Sequence, residues 1–174
     1  MDQDNAFWDD GEWVSWDDIN RQVQHQEWRA KYPKGDLALV PIFEDLLSTA
    51  EEYHSITGRH LQIYGELGEL YAAITHGIKL HKARAQGSDG RLGDDFVEVK
   101  TITPFNSKNA TSVKLSGNFN KLFVVRINED FELQGRMINR SDLPKTKSGV
   151  LHLTWDGIKD LADEQPRLFA RKTP

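Results

Sequence analysis

Gly87-Ser88-Asp89-Gly90-Arg91-Leu92-Gly93-Asp94-Asp95-Phe96-Val97-Glu98-Val99-Lys100-Thr101 is the stretch on which the reading of this chain turns. In a strand, residues two apart share a face, so Glu98 and Lys100 project together while Val97 and Val99 face the other way. Gly93-Asp94 has the composition of a two-residue hairpin loop, and glycine at its first position suits a type II′ turn. Such a loop fixes the register at i + j = 187, which pairs Leu92 with Asp95 and Asp89 with Glu98. Directly opposed residues have Cβ atoms ~4.5–5.5 Å apart. Two carboxylates and a lysine would then converge on one patch of one sheet face.

Opposed like charges destabilise a sheet unless something neutralises them. A hard divalent cation would do so, because Mg²⁺ (or Mn²⁺) takes carboxylate oxygens together with waters and substrate phosphate. Lys100 could polarise a metal-bound water or offset charge building on a phosphorus. Together these are the outline of a site for phosphodiester hydrolysis. The plainer reading makes Asp89 a turn residue and Glu98-Val99-Lys100 a solvated strand face with an ordinary salt bridge.

Upstream lies Gly65-Glu66-Leu67-Gly68-Glu69-Leu70-Tyr71-Ala72-Ala73. At ~100° per residue, Gly65, Gly68 and Ala72 form a narrow small-residue stripe flanked by Leu61, Tyr64, Leu67 and Tyr71, a face suited to lying close against a sheet. Glu69 falls at the edge of that stripe, whereas Glu66 falls farther round, beside Ile63 and Leu70. Glu69 is therefore the better placed to add a third acid to the patch. Both glutamates also fit an ordinary helix surface.

Around this centre the pattern predicts a helix from Trp16 to Ala30, with Ser15 and Asp18 as a loose capping box, a second from Pro41 to His54, and a third from just after Thr57-Gly58 to Thr75. Period-two stretches predict strands over Ile78 to Ala85, Phe96 to Ile102, Leu122 to Ile127 and Phe131 to Ile138, with Asn128-Glu129-Asp130 as a turn. Pro104 to Asn120 reads as a loop or a poorly formed helix, and Trp155 to Glu164 as a C-terminal helix. Lys108, Lys114 and Lys121, interleaved with Asn106, Asn109, Asn118 and Asn120, are candidate nucleic-acid-binding residues, since a phosphate-tracking loop would follow the catalytic strand. A merely solvated loop would look the same.

The 174 residues, 38% hydrophobic and 28% charged, suffice for one hydrophobic core. With no cysteine, disulfide frameworks, thiolate zinc sites and cysteine nucleophiles are excluded. The six histidines show no His-Glu-x-x-His or His-x-His spacing, and no Gly-x-x-x-x-Gly-Lys loop or Gly-x-Ser-x-Gly elbow occurs. Zinc, NTPase and serine-hydrolase readings thus have nothing to rest on. An acidic start without an apolar h-region, and no apolar run of ~18 residues, point to a soluble, cytoplasmic protein. The net charge of −5 conceals an uneven distribution: residues 1–18 hold seven acids and no base, while 59–147 carry 14 bases against 10 acids. A mildly basic body permits a phosphate-backbone partner.

The order of a helix with Gly-Glu, a strand, Ser-Asp, a short hairpin and Glu-x-Lys resembles the PD-(D/E)XK nuclease superfamily, in particular its small uncharacterised bacterial or phage-associated branch. The match runs from about Gly58 to Asn139, and the family's proline before the first aspartate is Ser88 here. The resemblance implies an α/β, restriction-endonuclease-like fold with a mixed central sheet flanked by helices. It also implies Asp89 and Glu98 as metal ligands with Val99 as a further one, Lys100 as the catalytic lysine and Glu69 as the helix acid, Glu66 being an additional acid. The expected activity is Mg²⁺-dependent hydrolysis of DNA in defence or DNA processing. Its alternatives are an inactive nuclease-fold module that binds nucleic acid or a protein, and an inhibitory partner whose acidic head mimics nucleic acid.

Residues 1–35 form a separate, acidic extension read as helical, and 36–174 the nuclease-like domain. Four of the five tryptophans (Trp8, Trp13, Trp16 and Trp28) lie in the extension. That is too much aromatic area to leave in water, so the extension should dock, either on its own chain or on a second copy or protein partner. A sharper version has its acids lying across the basic body.

Overall fold

The computed structural model describes residues 6–82, 87–161 and 163–164. Its helices are α1 (Trp16–Lys31), α2 (Val40–Thr57) and α3 (Tyr64–His76). The Ser15 side chain accepts from the Asp17 N–H at 3.1 Å and starts α1. Gly58 and Gly77, both at φ 66°, stop α2 and α3 in the left-handed conformation that glycine adopts without steric cost.

The strands are β1 (Ala6–Asp9), β2 (Glu12–Ser15), β3 (Lys79–Leu80), β4 (Gly90–Leu92), β5 (Asp95–Ile102), β6 (Ala110–Lys114), β7 (Lys121–Ile127), β8 (Leu133–Asn139), β9 (Val150–Thr154) and β10 (Asp163–Glu164). The central sheet runs β10-β8-β7-β5-β4-β3. Its β5–β7 pair is parallel and its other pairs are antiparallel, so the protein is a mixed α/β fold. β6 and β9 make a separate antiparallel pair, as do β1 and β2.

Alternation along β5 and β7 divides the core into two. Val97, Val99, Phe123, Val125 and Ile127 face the helices and pack with Phe43, Leu47, Leu67, Tyr71 and Ala72. Ile102, Leu122, Val124 and Ile138 face the other way, beneath Val113, Leu151 and Leu153 of the β6–β9 layer and Trp155 and Ile158 of the turn after β9. Leu122 to Val125 are consequently buried without a break, as a strand covered on both faces must be. The β6–β9 layer packs on β7, β8 and the end of β5. On that same face the other half of the sheet carries Lys79, Arg91, Phe96, Glu98 and Lys100, none of which is fully buried.

Several expectations are corrected. The N-terminal extension is not helical throughout: Asp10-Gly11 turns a β1–β2 hairpin before α1 begins. Within it Trp8, Trp13 and Trp16 remain 59%, 54% and 49% exposed, so docking on the rest of the chain is left to Trp28. The third helix starts at Tyr64, not directly after Gly58, and Gly65 faces open space and lies outside the close-packed stripe. Residues 104–120 contain β6, whose burial rests on Val113 alone. The expected C-terminal helix is instead a turn, in which the Gly157 N–H donates to the Thr154 hydroxyl, a short 3-10 segment Lys159–Leu161 and β10. Spacing of Trp155, Ile158 and Leu161 mimics a helical stripe, but the first two are anchored in the second core. The strand expected over 78–85 is described only at Lys79–Leu80, and 83–86 lie outside the described residues.

Candidate functional site

The β4–β5 hairpin has the register read from its turn: Leu92 opposes Asp95, Arg91 opposes Phe96 and Gly90 opposes Val97. Gly93 sits at φ 62° while Asp94 does not enter the positive-φ region, as a type II′ turn requires. The ladder stops at Gly90. A Cβ there would stand 2.7 Å from Ile78 Cγ2 and 2.8 Å from the Lys79 carbonyl, so glycine is what lets β3 close on β4.

Asp89, just beyond, does not form the expected ladder pair with Glu98. Its N–H donates to the Val97 carbonyl at 3.0 Å, and its own carbonyl accepts from the His81 N–H at 2.9 Å. Its Oδ2 accepts from the Val99 N–H at 2.6 Å. The reason is local accounting: where β4 leaves β5, a backbone N–H loses its strand partner and must find another acceptor. The carboxylate supplies it and is thereby fixed at the strand edge, between the two faces of the sheet.

Three further groups approach that opening. Glu98 and Lys100 lie on the β5 face away from the helices and form a 2.5 Å ion pair, with side chains 18% and 31% exposed. Glu69 comes from α3 on the opposite face. Its helix reaches the sheet closely because a Cβ at Gly68 would fall on the Thr101 hydroxyl. Burial pushes the Glu69 carboxyl above the usual carboxylate range, and the negative charges of Asp89, Glu66 and Glu98 push it further, against a partial offset from Lys100. Glu69 is thus within electrostatic reach of Asp89, Glu98 and Lys100. Glu66 is exposed on the first turn of α3. The Val99 side chain is buried in the core, leaving only its main-chain carbonyl as a donor.

The donor chemistry suits a hard divalent cation: the ligand atoms on offer are carboxylate oxygens and a main-chain carbonyl, and Mg²⁺ typically takes one or two carboxylates with waters and phosphate completing its shell. Among the described residues, no three of His, Asp and Glu stand close enough to hold a metal ion by themselves.

The lysines singled out in the sequence do not gather here. Lys108 is exposed in the turn between Asn106 and Asn109, and Lys114 is exposed at the end of β6. Lys121 begins β7 opposite Val97, hence on the helix-side face, where it binds Asn139 Oδ1 at 2.9 Å and Asp95 at 3.5 Å. In the open half of the face that Glu98 and Lys100 share, the basic residues are Lys79 and Arg91, directly opposed across β3 and β4. The period-two spacing that relates Asp89 to Arg91 could have revealed them.

No family model matches this chain, and no curated protein is similar to it in sequence.

Proposed function

We propose that the chain is a divalent-metal-dependent nuclease acting on DNA, of the PD-(D/E)XK kind, with Asp89, Glu98, Lys100 and Glu69 as its working groups. The observation that carries this reading is that Glu69 on α3 lies within electrostatic reach of Asp89, of Glu98 and of the Lys100 that Glu98 pairs with, beside the point where β4 leaves β5. Asp89 and Glu98 would hold the cation, with the Val99 carbonyl available beside them. The bound ion supplies Lewis acidity toward the phosphate and lowers the pKa of a coordinated water.

The chain's own groups then have separable tasks. The Val99 N–H holds one Asp89 oxygen and so aims the other. Glu98 holds the Lys100 ammonium within reach of the same point, where it would offset charge developing on the phosphoryl oxygens as water attacks and one P–O ester bond breaks. Glu69, whose carboxyl burial and the neighbouring acids hold above the usual carboxylate range, keeps its proton more tightly than an ordinary glutamate and is the chain's candidate for proton exchange there. Lys100→Ala should lower Mg²⁺-dependent turnover of a DNA duplex by at least about 100-fold while changing DNA affinity by less than about threefold. Equal loss in turnover and affinity would make Lys100 a binding residue and count against the assignment.

A second reading, a nuclease-like module that binds without cutting, is favoured by one feature: the exposed Trp8, Trp13 and Trp16 offer aromatic surface suited to a protein partner. It expects no Mg²⁺-stimulated cleavage of single-stranded, duplex or branched DNA by the wild type.

A further inference from the structure

The half of the sheet face that the β6–β9 layer does not pack on carries an unusual pairing. Lys79 and Arg91 are direct cross-strand partners. Like charges in that relation destabilise an antiparallel pair. Among the described residues neither has an ion-pair partner, and both are exposed. The Arg91 guanidinium is steadied over the Phe96 ring, 4.7 Å from its centroid. The His81 ring, 6.2 Å from that of Phe96, extends the same surface. A cavity of about 370 Å³ opens here, lined by Lys79, His81, Arg91, Gly93 and Asp94.

Resting on the nuclease reading above, we propose that this edge, formed by Lys79 and Arg91, is where the phosphate backbone of the nucleic acid lies as it enters the site. Three observations support it. Among the described residues the opposed cations have no ion-pair partner, and phosphates would supply one. Arg91 on β4 lies two residues from Asp89 and Lys79 opposes it on β3, on the face that Glu98 and Lys100 share, so one strand of nucleic acid crossing the edge reaches the carboxylates without leaving the sheet. Arginine held by an aromatic ring keeps its fork of donors free for bidentate phosphate contact. The backbone-positioning surface is therefore the β3–β4 edge and not the loop after β5.

The test is fluorescence anisotropy of a labelled DNA duplex, and of one of its strands, titrated with the full chain in EDTA so that no cleavage occurs. Binding is measured across a salt series for wild type, Lys79→Gln, Arg91→Gln and the double variant. Each lost phosphate contact should flatten the slope of log K against log salt by about 0.9 on the duplex, so the double variant should lose nearly 2. Its affinity should fall at least tenfold, with Arg91→Lys recovering part. Because an unfavourable charge pair is removed, melting temperatures should hold or rise, and Lys79→Gln alone suffices if the double variant is unstable. Unchanged slope and affinity would overturn the proposal and leave these cations as guards against edge-to-edge aggregation, a result compatible with nuclease activity. Wild type that binds no DNA would overturn it as well. The predicted flattening in a protein that cuts nothing with Mg²⁺ would uphold this surface and sink the nuclease reading.

Discussion

The β1–β2 hairpin turns through Asp10-Gly11, with φ of 38° and 99°, and the β4–β5 hairpin through Gly93-Asp94, with Gly93 at 62°. Both loops are two residues long, and both place glycine where positive φ is needed. The second is stitched into a six-stranded sheet, with Leu92 packed against one core and Phe96 against the other. The first pairs only with itself, with Trp8 and Trp13 edge-to-face at 5.5 Å and largely in water. Turn chemistry therefore sets register, but burial decides what a hairpin contributes to stability. A precisely held carboxylate such as Asp89 is found only on the hairpin that the sheet encloses.

The difference between the hairpins is probed most severely by adding the same side chain to a glycine of each. Gly90→Val drives methyl groups into Ile78 and the β3 backbone and should destabilise by about 3 kcal/mol or more in urea unfolding. Gly11→Val meets no neighbouring atom, so only its local strain counts, about 1 kcal/mol. Similar losses at the two positions would mean that both hairpins are equally part of the cooperative unit.

Next comes Glu69. Its folded-state pKa is raised, so the folded protein holds that proton more tightly than the unfolded chain does. Stability on its account is greatest below the ordinary carboxylate range and declines as pH rises through the raised pKa. In EDTA, Glu69→Gln should melt higher than wild type at pH 7.5, and the gap should close toward pH 4. A gap that persists at pH 4 would assign the effect to packing.

The smallest effect is expected on the exposed hairpin. Trp8→Ser and Trp13→Ser should each shift stability by no more than about 0.5 kcal/mol. A loss of several times that would show these rings buried in solution, as an interface between copies or with α1 would bury them.

The sequence made the β4–β5 hairpin legible because Gly93-Asp94 and the alternation of Phe96 to Ile102 point the same way, and i + j = 187 follows from the turn alone. It also distinguished the half-buried Glu69 from the exposed Glu66 by helical angle. Asp89 was extended into the ladder and given Glu98 as partner, whereas it lies just outside β4 and caps Val99, because the strand ends where β3 meets Gly90, a contact between distant residues. Asp10-Gly11 is a strong hairpin signal that the surrounding acids and tryptophans obscured. Ala110 to Lys114 is too polar to announce a strand, whereas Val150, Leu151 and Leu153 with intervening His152 did carry period-two alternation.

Whether the carboxylates at the strand opening form a divalent-cation site is decided by calorimetric titration of Mn²⁺ into the full chain. Wild type should bind Mn²⁺ at one site. Asp89→Asn, whose amide oxygen can still accept from the Val99 N–H, should lose at least tenfold in affinity while melting no lower than wild type without metal, and Glu98→Gln should lose affinity by a similar factor. Mn²⁺ affinity unchanged in both variants, or no binding by the wild type, would mean that these carboxylates hold no cation.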